Sequence, residues 1–253
     1  PPLERYGKYV IAVVTKGDFG RSYQTKEPVT EFIARGFPNT AILAVSALGL
    51  ALLTGIPLGV VAAIKHNSWI DRFAMAFALL GVATPSFVLA PVLTLVLAVR
   101  MGWLPVGGFS LQEGIVDPAT FILPTVVLAA RSSALIARLT RSAMLDVLSQ
   151  DFIRTARAKG VRPLGVLFKH ALRNALSPIL TVAGTTFGYL LSGSFVVETF
   201  FTIPGIGNQS ITAITARDYP VIQGGLLLIA GIIMVVNLIV DLLYGLINPR
   251  IRH

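Results

Sequence analysis

Four intervals of this sequence contain no charged side chain: between Arg35 and Lys65, between Arg72 and Arg100, between Arg173 and Glu198, and between Asp218 and Asp241. Each meets or exceeds the roughly 20 residues that a helix needs to cross the hydrocarbon core of a bilayer. A fifth interval, about 119–140, is apolar apart from Arg131 and Arg138. Backbone in hydrocarbon must satisfy its own hydrogen bonds, so apolar runs of this length predict helices. The expected fold is an all-α multi-pass membrane protein with five transmembrane helices, at about 39–64, 73–99, 119–140, 178–198 and 221–247. The composition agrees, with 54% hydrophobic and 13% charged residues, whereas soluble domains carry roughly a quarter charged.

The formal net charge of +9 is informative by location. With the N-terminus outside, the inner segments hold Lys65, Arg72, Arg138, Arg141, Arg154, Arg157, Lys159, Arg162, Lys169, Arg173, Arg250 and Arg252, and the short outer loops hold Arg100 and Arg217. The positive-inside rule selects that orientation. Residues 1–38 form an extracytoplasmic segment in this reading, with short interfacial helices over "LERYGKYVIAVVT" and "PVTEFIARGF" around a turn-rich "KGDFGRSYQTKE". The chain begins Pro1-Pro2 and carries no signal peptide, so its start reads as truncated.

Several chemistries are excluded. The chain has no Cys, hence no disulfide or thiolate chemistry. His66, His170 and His253 are scattered, so no metal site is expected. No Gly-x-x-x-x-Gly-Lys-Ser/Thr run occurs, so ATP is not bound through a P-loop.

In the second span, Pro85 and Pro91 each remove a helix hydrogen bond, which predicts a kinked helix. In the fourth, Gly184, Gly188 and Gly193 among Ser and Thr predict close helix packing. The Pro204-Gly205 pair fits the middle of a tight turn.

Residues 146–176 interrupt the apolar pattern, with "DFIRTARAKGVRPLGVLFKHALRNAL" at 151–176. Gly160 is suited to a left-handed cap and Pro163 to a first helical turn, which predicts helix, turn, helix. Leu164, Leu167, Phe168, Ala171, Leu172 and Ala175 follow one helical face. Three readings compete: an amphipathic pair on anionic headgroups, a nucleic-acid helix-turn-helix, which the flanking spans argue against, and a protein-docking helix. Small Ala156, Ala158 and Gly160 between Arg154, Arg157 and Lys159 favour the third, because lipid binding needs charge but not a smooth surface. No nucleic-acid partner is expected.

At these residues the chain resembles the membrane permeases of bacterial ATP-binding-cassette (ABC) importers. Gly160, Ala156 and Leu172 match that family's cytoplasmic motif, while Arg154 stands where a Glu is usual and Arg173 where a Pro is usual. Those departures are typical of the dipeptide, oligopeptide and nickel branch. Further matches are "GDFGRSY" at 17–23, "PSFVLAP" at 85–91, "ARLTRSAM" at 137–144, "GSFVVETFFTIPGIG" at 193–207 and "NLIVDLLYGLINPRIR" at 237–252.

The resemblance implies a type I ABC importer permease fold, a heterodimer with a second homologous permease, two ABC ATPase subunits that bind ATP and Mg, and an extracytoplasmic substrate-binding protein. This chain would hold no cofactor and catalyse no reaction. It would be the first of the two permease types, lacking the first of six spans, in a bacterial or archaeal cytoplasmic membrane. The ATPase-coupling residues would be Asp151, Arg154, Thr155, Ala156, Arg157, Ala158, Lys159, Gly160 and Val161. Peptides are the expected substrates, with nickel chelates or glutathione-like thiols as alternatives. An ion-coupled secondary transporter using Asp241 and Arg131 is the reading from another class.

Four further charges fall inside spans. Asp241 lies about 20 residues into the last span, near the inner surface by the 1.5 Å rise per residue. Arg138 and Arg141 end the third span at similar depth, so an intramembrane structural ion pair with Asp241 is expected. Arg131 lies close to mid-membrane, where Arg costs roughly 2.5–3.5 kcal/mol, and is a candidate to face the path and attract a carboxylate; the alternative is a pair with the second permease. At the outer surface, Glu198, Pro204 and Gly205 are outer-gate candidates, the alternative for Glu198 being a solvated loop cap.

Overall fold

The computed structural model describes residues 2–107, 109–111 and 117–247, with the side chain of Asp241 outside the described set, as is the basic tail from 248. Among the described residues there is no strand, only an isolated bridge between Arg21 and Pro28. The helices are α1 (Pro2–Lys16), α2 (Val29–Ile64), α3 (Trp69–Ala83), α4 (Ser86–Leu93), α5 (Pro118–Leu148), α6 (Asp151–Ala158), α7 (Pro163–Gly165), α8 (Arg173–Phe200), α9 (Ile206–Thr215) and α10 (Tyr219–Ile247). π-wound turns follow α4 at Thr94–Arg100 and α7 at Val166–Leu172.

Three helices are long and apolar enough to cross a membrane unbroken, within α2, α5 and α10. Two bent pairs bring the number to five if each is counted as one span: α3 with Ser86–Arg100, at 106°, and Pro163–Leu191 with Ser194–Phe200, at 44°. The second span is thus broken rather than kinked. Pro85 forces its predecessor out of helical geometry, and Thr84 sits at φ −86° and ψ 117°. Pro91 stays inside α4, and the π turn begins three residues on.

The separate interfacial helix expected over residues 28–37 is instead the first turns of α2, which runs through the boundary placed at 38. Pro38 sits inside the helix, and Arg35 ties its first turn through pairs to Glu27 and Glu31, both at 3.0 Å.

α5 is the hub, packed against α2, α3, α4 and α8. Lipid tails are as apolar as leucine, so helices in a bilayer associate through close backbone approach rather than through hydrophobic burial. α2 meets that need with Ala47, Ala51, Gly55, Gly59 and Ala63, all buried and spaced by four. A Cβ on Gly55 would meet the Ser133 carbonyl and Ile136, so α2 and α5 touch backbone to backbone there. The close packing expected of α8 is realised at Gly184 against Val240 and at Gly188 against Ile233 of α10.

The face expected after Pro163 holds in part: Ala171 and Ala175 are buried and Leu167 and Leu172 pack against the core, whereas Leu164 and Phe168 are exposed and Val166 is buried in addition. The π turn carries i to i+5 hydrogen bonds, which rotates the following residues off the 3.6-residue pattern.

Candidate functional site

The basic insert forms a short rigid lever. α6 turns Ile153 and Ala156 into the core, and Asp151, Arg154, Thr155, Arg157, Ala158, Lys159 and Gly160 outward. Ala156 therefore does not belong to the smooth outer surface expected of it; it lies three residues after Ile153 and shares that inward face. Ala158 and Gly160 remain as the small exposed pair. Gly160 at φ +77° ends the helix. Its N–H donates to the Arg157 carbonyl at 3.0 Å, and that of half-buried Val161 to Ala156 at 3.2 Å. This pair of bonds is the Schellman closure, and it requires the left-handed residue that glycine supplies without strain. Pro163 then starts α7. A groove of about 600 Å³ beside the turn is lined by Arg157, Val161 and Leu164 together with Ala63 and Ile64 of α2.

On the other side of the molecule, Glu198 is completely buried, which overturns the solvated-cap alternative. Its Oε1 accepts from Thr40 Oγ1 at 2.7 Å and its Oε2 from the Asn208 N–H at 3.1 Å. Ser194 and the Gly207 N–H also reach the carboxylate. The first N–H groups of a helix attract negative charge, so Glu198 holds the start of α9 from the end of α8. Thr40 also accepts from the Ile206 N–H at 2.9 Å, and Asn39 Nδ2 donates to the Pro204 carbonyl at 2.9 Å. Gly205 is extended at φ −95°. Its role is close approach, because a Cβ there would fall on the Glu198 carboxylate and on Thr40 Oγ1. Glu198, Pro204 and Gly205 thus meet in one node with α2.

A second lock lies nearby. Asp218 accepts from the Ser22 hydroxyl, from the Tyr23 N–H at 2.9 Å and from the Gln24 N–H at 3.4 Å. Burial works to raise its pKa, but these bonds and one from the Val221 N–H outweigh it and hold the carboxyl below the ordinary range. The loop before α2 is thereby pinned to the turn between α9 and α10.

Arg141 closes on Asp71, and the pair expected with Asp241 lies outside the described residues. It grips Asp71 with two bonds, Nε to Oδ1 at 2.6 Å and Nη2 to Oδ2 at 2.8 Å. Asp71 is buried, and it also accepts from the Asn67 N–H at 2.9 Å. Bidentate geometry fixes both side chains at the first turn of α3. Arg138 is exposed.

Arg131 lies 13 residues after Pro118 in α5, about 20 Å along the helix. Nη1 donates to the Tyr189 hydroxyl at 3.2 Å, and the guanidinium stands 5.1 Å from that ring's centroid. Both residues are exposed on the chain. They border a recess of about 30 Å³ lined by Thr84, Pro85 and Ser86 at the helix break.

Sequence reasoning missed Thr40, Asn39, Asp71, Tyr189 and the Ser22–Asp218 lock, since each is an ordinary polar residue until its partner is known. The four-residue spacing of small residues in α2 was available as a signal. Among the described residues no cluster of three His, Cys, Asp or Glu could hold a metal.

A family model described as "Binding-protein-dependent transport system inner membrane component" matches residues 55–253. The dipeptide transport system permease protein DppB of Haemophilus influenzae is 47% identical, over 96% of this chain and 79% of that protein. The glutathione transport system permease protein GsiC of Salmonella typhimurium is 43% identical, over 100% of this chain and 80% of that protein. Among solved structures, a chain of the MetNI methionine ABC transporter in inward facing conformations superposes with a TM-score of 0.73 at 18% identity, covering 86% of this chain and 96% of that one. At that identity the likeness is one of fold.

Proposed function

Since the chain belongs to the family of binding-protein-dependent transport-system inner-membrane components, we propose that it is the permease subunit through which an ATP-driven importer passes peptides. In this reading it pairs with a second permease in a bacterial or archaeal cytoplasmic membrane, and an extracytoplasmic binding protein delivers the substrate. Two partner ATPases bind ATP and Mg; this chain transmits their motion. Peptides are the class common to dipeptides and glutathione, the substrates named for the two relatives.

The observation that carries the reading is the lever at α6. Its outer face is basic and open to a partner, its inner face is anchored by Ile153 and Ala156, and its end is closed at Gly160. Ile153 and Ala156 join the common core and α6 packs on the Val166–Leu172 turn that runs into α8, so a displacement of α6 is passed on to α8.

The test is reconstitution of the chain in proteoliposomes with its second permease, both ATPases and the binding protein. Uptake of a labelled peptide is expected to require ATP, and Arg157→Glu and Gly160→Val are expected to reduce uptake and binding-protein-stimulated ATPase together. Uptake driven by an ion gradient without ATP would overturn the importer reading. Unchanged uptake in both variants would overturn the lever.

A further inference from the structure

The broken second span brings together, in the middle of the membrane, groups that the lever does not use. Arg131 stands near the midpoint of the 31-residue α5. An ionised side chain at that depth persists when it has a partner or a watery path to face. Its guanidinium has five N–H donors, and one of them is spent on Tyr189. Among the described residues no carboxylate lies within 4.0 Å of it, while Asp71 is held by Arg141 and Glu198 by the outer node.

The surroundings are those of a binding site rather than of a side chain lying against lipid. Tyr189 presents both its ring and its hydroxyl to the guanidinium, fixing its plane. The recess beside it is bordered by the Thr84–Pro85–Ser86 break and closed from behind by Leu89, Val127 and Leu128. Ser86, the first residue of α4, borders the same recess, and no side chain caps that helix. Discontinuous membrane helices hold anionic groups in this manner.

We propose that Arg131 and Tyr189 form a carboxylate-recognition site at the mid-membrane break between α3 and α4, which takes the free carboxylate of a peptide in transit. The inference deepens the importer reading and rests on it. A bidentate guanidinium–carboxylate contact offsets part of the desolvation of the peptide's negative end.

The experiment exploits the absence of cysteine from the chain. Arg131→Cys is placed in the full reconstituted importer, and uptake of a free-acid dipeptide is measured alongside ATPase stimulation by loaded binding protein. Uptake is expected to fall about tenfold or more while stimulated ATPase stays within about twofold. Aminoethyl methanethiosulfonate, which restores a cation, is expected to recover uptake, and the methyl reagent is not. Saturating peptide during turnover is expected to slow labelling. Tyr189→Phe, which keeps the ring, is expected to lower uptake by about two- to fivefold with the complex intact. A thiol unreactive throughout the ATP cycle, labelling insensitive to peptide, or equal recovery by both reagents overturns the site. Loss of the second permease on purification of Arg131→Cys also overturns it, assigning Arg131 to an ion pair between permeases. Loss of ATP dependence in the unmodified importer would strike the importer reading itself, and is distinct from all of these.

Discussion

Thr40 on α2 donates its hydroxyl to Glu198 on α8 at 2.7 Å, across 158 residues of sequence and out of contact with solvent. That bond, with the N–H groups of Ile206 and Asn208, makes the outer ends of three helices one unit. Glu198→Ala strands the Thr40 hydroxyl and the Asn208 N–H in a buried place, at about 1–3 kcal/mol each. Thr40→Val removes two bonds, the one to Glu198 and the one from the Ile206 N–H, with a smaller loss expected because Ser194 and the Asn208 and Gly207 N–H groups still hold the carboxylate. Thermal unfolding of the purified complex is expected to rank wild type above Thr40→Val and Thr40→Val above Glu198→Ala. Equal melting of all three would show that the node does not hold the outer end together.

Gly160 is the hinge residue of the lever. Any L-residue at its φ of +77° pays the left-handed penalty, roughly 1–2 kcal/mol. Gly160→Ala is therefore expected to weaken uptake moderately, and Gly160→Val more strongly, since β-branching adds crowding. Uptake assays with matched membrane expression check the order, and Gly160→Asn, which tolerates the left-handed region, is expected to be the mildest of the three.

Asp71 is buried, whereas Arg141 retains 24% of its side-chain exposure. Removing one partner of a buried pair leaves an uncompensated charge, typically at 3–5 kcal/mol. Partial exposure of Arg141 places Asp71→Ala toward the lower end, about 3 kcal/mol. Asp71→Ala with Arg141→Ala is expected to be less damaging than the sum of the two single changes, with a coupling of about 1–3 kcal/mol in a double-mutant cycle of melting measurements. An additive result would mean that Arg141 finds another partner.

Acid is expected to release the loop before α2. The folded-state pKa of Asp218 lies below its unfolded value, so its contribution to stability is fully present above that unfolded value, about 3.9. The contribution fades as pH falls through the folded value. Hydrogen exchange at Tyr23 and Gln24 should therefore stay slow from neutral pH down to about 5 and accelerate, beyond the intrinsic chemical trend, only in stronger acid. Asp218→Asn should exchange fast at those amides throughout and lose the pH dependence. Protection that survives in Asp218→Asn would remove the carboxylate from the explanation.

The parts legible in the sequence are those governed by local rules. The placement of four apolar stretches followed from charge-free length, and the stop at Gly160 and restart at Pro163 from backbone preferences of single residues. Proline in the second span announced an irregularity, but its angle of 106° depends on what α4 packs against, which is α5 and α8. The inward turn of Ala156 escaped reading by composition alone, because being small suits both a docking surface and a tight core.

Ion-pair choice shows the same division. Arg141 closes on Asp71, a pairing that residue counting does not single out, because a helix advances about 100° of rotation with each residue and depth leaves that rotation unspecified. A multi-pass helical membrane protein with a basic, capped insert between two spans is legible in the chain alone, since hydrophobic length and capping are read within a few residues. That Thr40 meets Glu198, that Arg141 takes Asp71, and that Arg131 and Tyr189 stand together at a broken helix emerges only from packing. Each of those meetings depends on how helices distant in the chain rotate and pack against one another, which no local pattern encodes.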